Sequence, residues 1–390
     1  MPKTTLSSPL KVAIVAEWLS TYAGSERVLE AFLDLFPEAD LFAVVDFVPE
    51  GDRHFLRGRT PKVSFIQQLP GARRFFRHYL PLMPLAIEQF DLSAYDLVIS
   101  NSHAVAKGVL TGPNQRHLSY VHSPMRYAWD LQHQYLREGG LDRGVRGGLA
   151  RLMLHYLRLW DSRTAQGVDH YLTNSRYIQR RIRKIYGRDS TVIHPPVDVE
   201  AFPLKTVKAD YYFTASRMVP YKRMDLIVEA FKDLPDRQLL VAGTGPEYEK
   251  IARLKGPNVE LLGHLDAGTL RHHLQNARAF LFAAEEDFGI LPLEAMACGT
   301  PVIAYGRGGA LETVVPLGDD ALPTGLFFDS QTPQSLLKAI GLLEANALLF
   351  DPAAIRRHAE QFRPERFVAE IKEMLEILNI PFEEGSEQTT

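Results

Sequence analysis

The sequence predicts an α/β protein built as two doubly wound domains. Short apolar runs recur along the chain with helical patterns between them, the alternation that makes a parallel sheet with covering helices. That alternation is interrupted at Pro195-Pro196 and the polar stretch to Ala209, after which a second series begins. A chain of 390 residues is long for one core and comfortable for two.

In the first series, residues 12–18, 41–47, 97–100, 118–122, 171–174 and 191–194 read as strands. In the second, residues 211–216, 238–242, 259–262, 280–284, 301–305 and 325–328 do the same. The expected domains are residues 1–195 and 196–365, with a hinge near 196–209. A last helix is expected over 366–380, because Phe367, Ile371, Leu375 and Leu378 recur at helical spacing. The acidic, polar tail from Phe382 is expected to be disordered. Ligands of doubly wound sheets bind outside the carboxyl ends of the strands, so the interdomain cleft is the expected site.

Composition removes several function classes. A hydrophobic share of 46% with 23% charged residues is that of a water-soluble globular chain. The net charge of −3 gives no basic field for nucleic acid. Cys298 is the one cysteine, which excludes an internal disulfide and any multi-cysteine metal site, and its apolar helix-end setting suits a packed thiol. The early apolar run from Val12 to Leu19 is interrupted by Glu17 and reads as a buried strand rather than a signal peptide. No stretch approaches the length of a spanning helix, so a cytoplasmic protein is expected, with any membrane contact peripheral.

The most informative segment runs from Phe280 to Ala304. It reads as strand, carboxylate-bearing loop, short helix and strand, with Pro292 in the first helical turn and Gly299 just past the helix end. Glu286 falls in the loop after the strand, seven residues before Glu294, which is expected in the first turn of the helix. Backbone N–H groups of Gly289, Ile290 and Leu291 would favour an anion there, such as a diphosphate. Carboxylates grip hydroxyls and a helix end grips phosphate, which together suit a nucleotide-sugar. Arg217 and Lys222 follow the first strand of the second series, and two such cations can neutralise a leaving diphosphate without a metal ion.

Glu286 and Glu294, with Phe288-Gly289, Glu294-Ala-Met-Ala297 and Gly299-Thr-Pro-Val302 around them, resemble the signature of retaining glycosyltransferases of the GT-B fold. That large family includes many bacterial mannosyl- and glucosyltransferases, and the resemblance extends from about Lys11 to Met374. It implies two Rossmann-like domains, an acceptor-side one first and a nucleotide-sugar-binding one second, with the last helix crossing back to the first. It implies that Arg217 and Lys222 contact the donor diphosphate, that Glu286 holds sugar hydroxyls and that Glu294 holds the ribose. The loop Val241-Ala-Gly243-Thr-Gly-Pro246 and the turn Gly263-His-Leu265-Asp266 are implied for the nucleotide, with Leu265 and Asp266 near the base, although a plain strand-end turn reads equally well. Gly306, Gly308, Gly309 and Glu312 resemble the family's glycine-rich turn, where ligand approach and simple turn formation both fit.

In the first domain, Tyr120-Val-His122-Ser-Pro-Met-Arg126 resembles a family motif whose histidine reaches the donor sugar. Gly24 lies in a loop that resembles the family's two-glycine loop, with Ala23 in place of the first glycine. Asn174-Ser175 and the segment Ser102-His103 to Lys107 are implied for the acceptor side. The implied reaction moves a hexose, mannose from GDP-mannose first and a UDP-hexose second, to a hydroxyl of a glycan or lipid-linked glycan. No metal and no cofactor beyond the nucleotide-sugar co-substrate are expected. A sugar-nucleotide 2-epimerase shares the architecture but lacks this carboxylate loop, and a non-catalytic binding module would bind the nucleotide-sugar without turnover. Residues 71–90 place Arg73, Arg74 and Arg77 among Phe75, Phe76, Tyr79 and Leu80, and fit either an anionic membrane surface or packing against the first domain.

Overall fold

The computed structural model describes residues 10–318 and 322–381, so the tail from Phe382 lies outside the described residues. The chain forms two compact units. One runs to Pro196 and resumes at Pro364, and the other spans Val197–Arg363.

The first unit holds β1 (Val12–Leu19), β2 (Asp40–Asp46), β3 (Lys62–Val63), β4 (Leu97–Ser102), β5 (Arg116–Val121), β6 (His170–Thr173) and β7 (Thr191–Val192). They form one sheet in the order β3-β2-β1-β4-β5-β6-β7, with parallel pairings throughout. Side chains of a strand alternate between faces. Ile14 and Ala16 of β1 therefore join the core beneath the helix Gly24–Leu35, while Ala13 and Val15 join a second core with Met83, Ile87, Leu157 and Trp160. The helix Pro364–Ile377 belongs to this unit, where Phe367, Ile371 and Leu375 are fully buried and Phe367 packs against the rings of Phe32 and Tyr120.

The second unit holds β8 (Tyr211–Ala215), β9 (Gln238–Ala242), β10 (Val259–Gly263), β11 (Ala279–Phe282), β12 (Val302–Tyr305) and β13 (Gly325–Phe328). The order is β10-β9-β8-β11-β12-β13, again parallel. Every run read as a strand contains one. The differences are at the ends: β7 stops at Val192 ahead of the two prolines, and β11 stops at Phe282, leaving Ala283 and Ala284 buried outside the ladder. The sequence reading missed β3, a two-residue edge strand whose side chains are both exposed.

Residues 71–90 form the short helices Ala72–Phe75, Phe76–Leu82 and Met83–Glu88, with Pro81 inside the second and Pro84 in the first turn of the third. Phe76, Met83, Ala86 and Ile87 are buried in the first unit's core. Arg73, Arg74 and Arg77 are exposed, with Arg74 over the ring of Phe75 and Arg77 over that of Phe76. Core packing thus takes the inner half of the segment, while Phe75, Leu82 and Leu85 remain exposed.

Candidate active site

The strand order of the second unit reverses between β8 and β11. Loops leaving adjacent strands at such a switch point part in opposite directions, which opens a crevice at the sheet's carboxyl edge. The loop after β8 carries Arg217 and Lys222, and the loop after β11 carries Glu286. Lys222 closes the 3-10 turn Pro220–Lys222. Arg223 follows in the left-handed region at φ +53°, with its guanidinium 3.4 Å from Asp225, which also meets Lys250 at 3.0 Å. A non-glycine residue held there costs on the order of 1 kcal/mol, so neighbouring contacts fix the turn and with it the direction of Lys222. The Lys222 ammonium pairs with Oε1 of Glu286, and the two side chains are only 16% and 20% exposed. Two residues picked from separate motifs meet directly. Arg217 lies five residues before Lys222 and is exposed.

The Glu286 loop is set by the glycine-rich turn after β12. Gly309 N–H donates to the Glu286 carbonyl at 2.8 Å. A Cβ on Gly308, at φ +71°, would lie 2.3 Å from that carbonyl oxygen, and one on Gly309 would lie 2.3 Å from Cα of Phe288. These glycines therefore admit the backbone of the carboxylate loop, a use that neither reading of the sequence contained. Phe288 is buried with its ring 5.9 Å from Phe362, so it anchors the loop in the core.

Gly289, at φ +91°, starts the helix Ile290–Ala297, and no side chain caps it. Ile290 and Leu291 are its first two residues. This start puts Glu294 at the fifth helical position, one beyond the first turn where the sequence placed it, and 4% exposed. The far end closes as expected: Gly299 N–H donates to Met296 O at 2.8 Å and Thr300 N–H to Ala295 O at 3.0 Å, the paired bonds of a Schellman ending. Cys298 sits there buried, and burial pushes its thiol up to about 12, so it is a packed group and not a nucleophile.

Gly243, in the loop implied for the nucleotide, lies against another loop of the protein. A Cβ there, at φ +129°, would stand 1.8 Å from the carbonyl oxygen of Ser216. The loops after β8 and β9 are laced together by Ser216 N–H to Ala242 O at 3.1 Å and Met218 N–H to Thr244 O at 2.9 Å. Gly243 N–H also donates to Gly263 O at 2.6 Å. Glycine is needed for this lacing. Asp266 accepts from Thr269 N–H at 2.9 Å and Thr269 Oγ1 at 2.6 Å, capping the helix Ala267–Asn276, while Leu265 is half-buried against the core. These bonds are the ones a strand-end turn running into a helix makes.

In the first unit the sheet order reverses between β1 and β4, and a polar cluster gathers at their carboxyl ends. Glu17 of β1 is buried, and its Oε1 accepts from Ser102 Oγ, His103 N, Ala104 N and Ala106 N at 2.7–3.1 Å. Its Oε2 meets His103 Nδ1 at 2.8 Å. Burial opposes the Glu17 charge, but the His103 charge and these bonds override it and lower its pKa to about 2. Burial likewise opposes charge on His103, and Glu17 raises its pKa above the usual histidine value.

Asn101 links two predicted residues in this cluster. Its Nδ2 donates to Ser25 O at 3.0 Å, beside Gly24 at the start of the helix Gly24–Leu35, and its Oδ1 faces His122 Nε2 at 2.7 Å. Burial, with a smaller contribution from the His103 charge, lowers the His122 pKa to about 3, so its ring is neutral at physiological pH. Because Asn101 Oδ1 can only accept, His122 Nε2 carries the proton and Nδ1 is left as an acceptor. Gly24 has helical backbone, and the capping bond there comes from Ala23 N–H to Glu26 at 3.0 Å.

Lys107 departs from expectation. It is 1% exposed, 2.7 Å from the buried Asp161 and beside the rings of Trp160 and Tyr186, so it holds the core and does not line a site. Asn174 donates to His122 O at 3.0 Å, and Ser175 caps the helix Arg176–Tyr186, which gives both structural employment. Arg126 stands with its Nε 3.3 Å from Ser123 Oγ. Glu17 and Asn101 were missed by the sequence reading. The available signal was a carboxylate inside an apolar strand.

Residues 22–201 match the family described as Glycosyltransferase Family 4, and residues 196–363 match Glycosyl transferases group 1. A GDP-mannose-dependent monoacylated alpha-(1-6)-phosphatidylinositol monomannoside mannosyltransferase of Corynebacterium glutamicum is 34% identical over 216 residues, 47% of this chain and 53% of the relative. The alpha-1,3/1,6-mannosyltransferase alg2 of Schizosaccharomyces pombe is 24% identical over 57% of this chain and 51% of its own. The chain spans about half the length of the curated relatives it matches. Among solved structures, sucrose-phosphate synthase from Thermosynechococcus elongatus superposes with a TM-score of 0.71 at 18% identity, over 95% of this chain and 99% of that one. Anabaena Alr3699/HepE in complex with UDP and glucose gives 0.67 at 17% identity, over 94% and 100%. Two doubly wound parallel sheets give the chain the fold of the GT-B glycosyltransferases, with its first part matching Glycosyltransferase Family 4 and its second part Glycosyl transferases group 1.

Proposed function

We propose that the protein is a retaining glycosyltransferase that moves a hexose, mannose from GDP-mannose, to a hydroxyl of a glycan or lipid-linked glycan without a metal ion. The observation that carries this reading is the Lys222–Glu286 pair at the switch point of the second sheet, with Glu294 buried on the helix that follows. Support for the donor comes from the printed dependence of the Corynebacterium relative on GDP-mannose. UDP and UDP-glucose in the complexes of the Anabaena neighbour favour the second reading, a UDP-hexose donor.

Breaking the bond between the sugar's anomeric carbon and the diphosphate leaves negative charge on the departing oxygen. Lys222 and Arg217 stabilise that charge in place of a metal. Glu286 accepts hydrogen bonds from sugar hydroxyls and keeps the Lys222 ammonium in place before the donor arrives. The acceptor hydroxyl oxygen bonds to the anomeric carbon on the face the diphosphate leaves, and its proton passes to the departing diphosphate oxygen, so no covalent enzyme intermediate is formed. Glu294 accepts from the ribose hydroxyls, and backbone N–H groups at the start of the helix Ile290–Ala297 favour the diphosphate. In the first unit, the neutral His122 has Nδ1 as the acceptor it can offer to a hydroxyl.

A thermal-shift screen tests donor choice. GDP and GDP-mannose are expected to raise the melting temperature by several degrees when present at about a hundred times Kd, with UDP and UDP-glucose shifting it less. The reverse order transfers the proposal to a UDP-hexose.

A further inference from the structure

The long helix Gly144–Thr164 turns one face inward, burying Gly147, Leu157, Trp160, Asp161 and Thr164. Its opposite side is also apolar. Val145, Leu149, Leu152, Tyr156 and Leu159 are 86%, 59%, 68%, 44% and 60% exposed. Their spacing alternates between four and three residues, which lines them up in a single stripe, and at 1.5 Å per residue the stripe is about 21 Å long. Large side chains scattered singly on a surface need no explanation, but an aligned row does.

The charges around the stripe say what covers it. Arg143, Arg146, Arg151 and Arg163 are exposed on or beside the helix. Asp161 is the helix's single carboxylate, and it is buried against Lys107. Asp142, the acid beside the helix start, is already paired with Arg143 at 3.5 Å, so a second copy laid on this stripe would bring Arg146, Arg151 and Arg163 onto one another. An anionic bilayer surface complements both features: lipid tails take the leucines, and headgroup phosphates take the guanidiniums. No helix among the described residues is long and apolar enough to cross a membrane, so the contact would be one that lies in the interface. We propose that the helix Gly144–Thr164 docks the protein on an anionic lipid surface through the Val145–Leu149–Leu152–Tyr156–Leu159 stripe.

The test uses the full chain and co-sedimentation with vesicles, in the absence of nucleotide and acceptor, so it is independent of the glycosyl-transfer reading. The parent protein is expected to bind mixed phosphatidylglycerol–phosphatidylcholine vesicles and to bind pure phosphatidylcholine at least about tenfold more weakly. The combined change Leu149→Ser, Leu152→Ser, Leu159→Ser should weaken binding to the mixed vesicles by about tenfold or more. Arg146→Glu with Arg151→Glu should do the same. These side chains are exposed, so the melting temperatures should match the parent's. Arg73→Glu, Arg74→Glu, Arg77→Glu in the other basic segment should leave binding within about twofold, since the proposal gives those residues no part in docking. Failure of the parent to sediment, parent-like binding by the leucine variant, or loss of binding only in the Arg73 variant would each overturn the proposal. So would a parent dimer that the leucine variant converts to monomer, because a second copy would then cover the stripe.

Discussion

Glu286→Gln is expected to lower kcat by about a hundredfold or more while leaving nucleoside diphosphate affinity unchanged or slightly improved. The expectation follows from the ion pair. In the free protein Glu286 occupies Lys222, and a bound diphosphate must share that ammonium with the carboxylate. Removing the carboxylate's charge releases the whole ammonium to the diphosphate, so ground-state binding does not suffer. The change also removes the acceptor that holds the sugar at its reacting carbon, so turnover does suffer. Steady-state kinetics with calorimetric titration of GDP separates the two quantities. A fall in GDP affinity as large as the fall in kcat would show that Glu286 supports the nucleotide and not the transferred sugar.

Lys222→Ala should act on both quantities. Loss of a charged contact to the diphosphate weakens GDP by about 1.5 to 3 kcal/mol, and loss of leaving-group stabilisation lowers kcat by a further hundredfold or so. Part of the binding loss comes from Glu286 itself, which is largely buried and in this variant presents an uncompensated charge to an incoming anion. Combining Lys222→Ala with Glu286→Gln should therefore bind GDP more tightly than Lys222→Ala alone, the non-additivity that marks two groups in direct contact. Strictly additive losses in GDP affinity would mean that the two residues do not act as a pair.

The strands were legible because apolar, β-branched and aromatic residues cluster in runs bounded by polar and turn residues. β9 and β13 match the sequence reading at both ends. β3 was not legible, since Lys62 and Val63 are exposed and leave no apolar signal. The motifs that carry Lys222 and Glu286 were legible, but the pairing of the two side chains was not: they are joined by strand order, which puts β11 beside β8. The neighbours of the glycines were illegible for a similar reason. Gly243, Gly308 and Gly309 signal close backbone approach, and sequence alone does not say to what; in each case the nearest neighbour is another loop of the protein. Glu17 was noticed only as an interruption of an apolar run. Its purpose appears once β4 delivers His103 and the N–H groups of Ala104 and Ala106 to its carboxylate.

The most direct measurement is proton NMR of GDP-mannose incubated with the full chain, a mannosyl-lipid acceptor and excess EDTA. The account predicts that GDP accumulates one-for-one with a new α-mannoside anomeric signal, that EDTA leaves the rate within about twofold, and that neither signal grows without acceptor. Conversion of GDP-mannose to another sugar nucleotide without acceptor, a β-configured product, or a rate abolished by EDTA would contradict it.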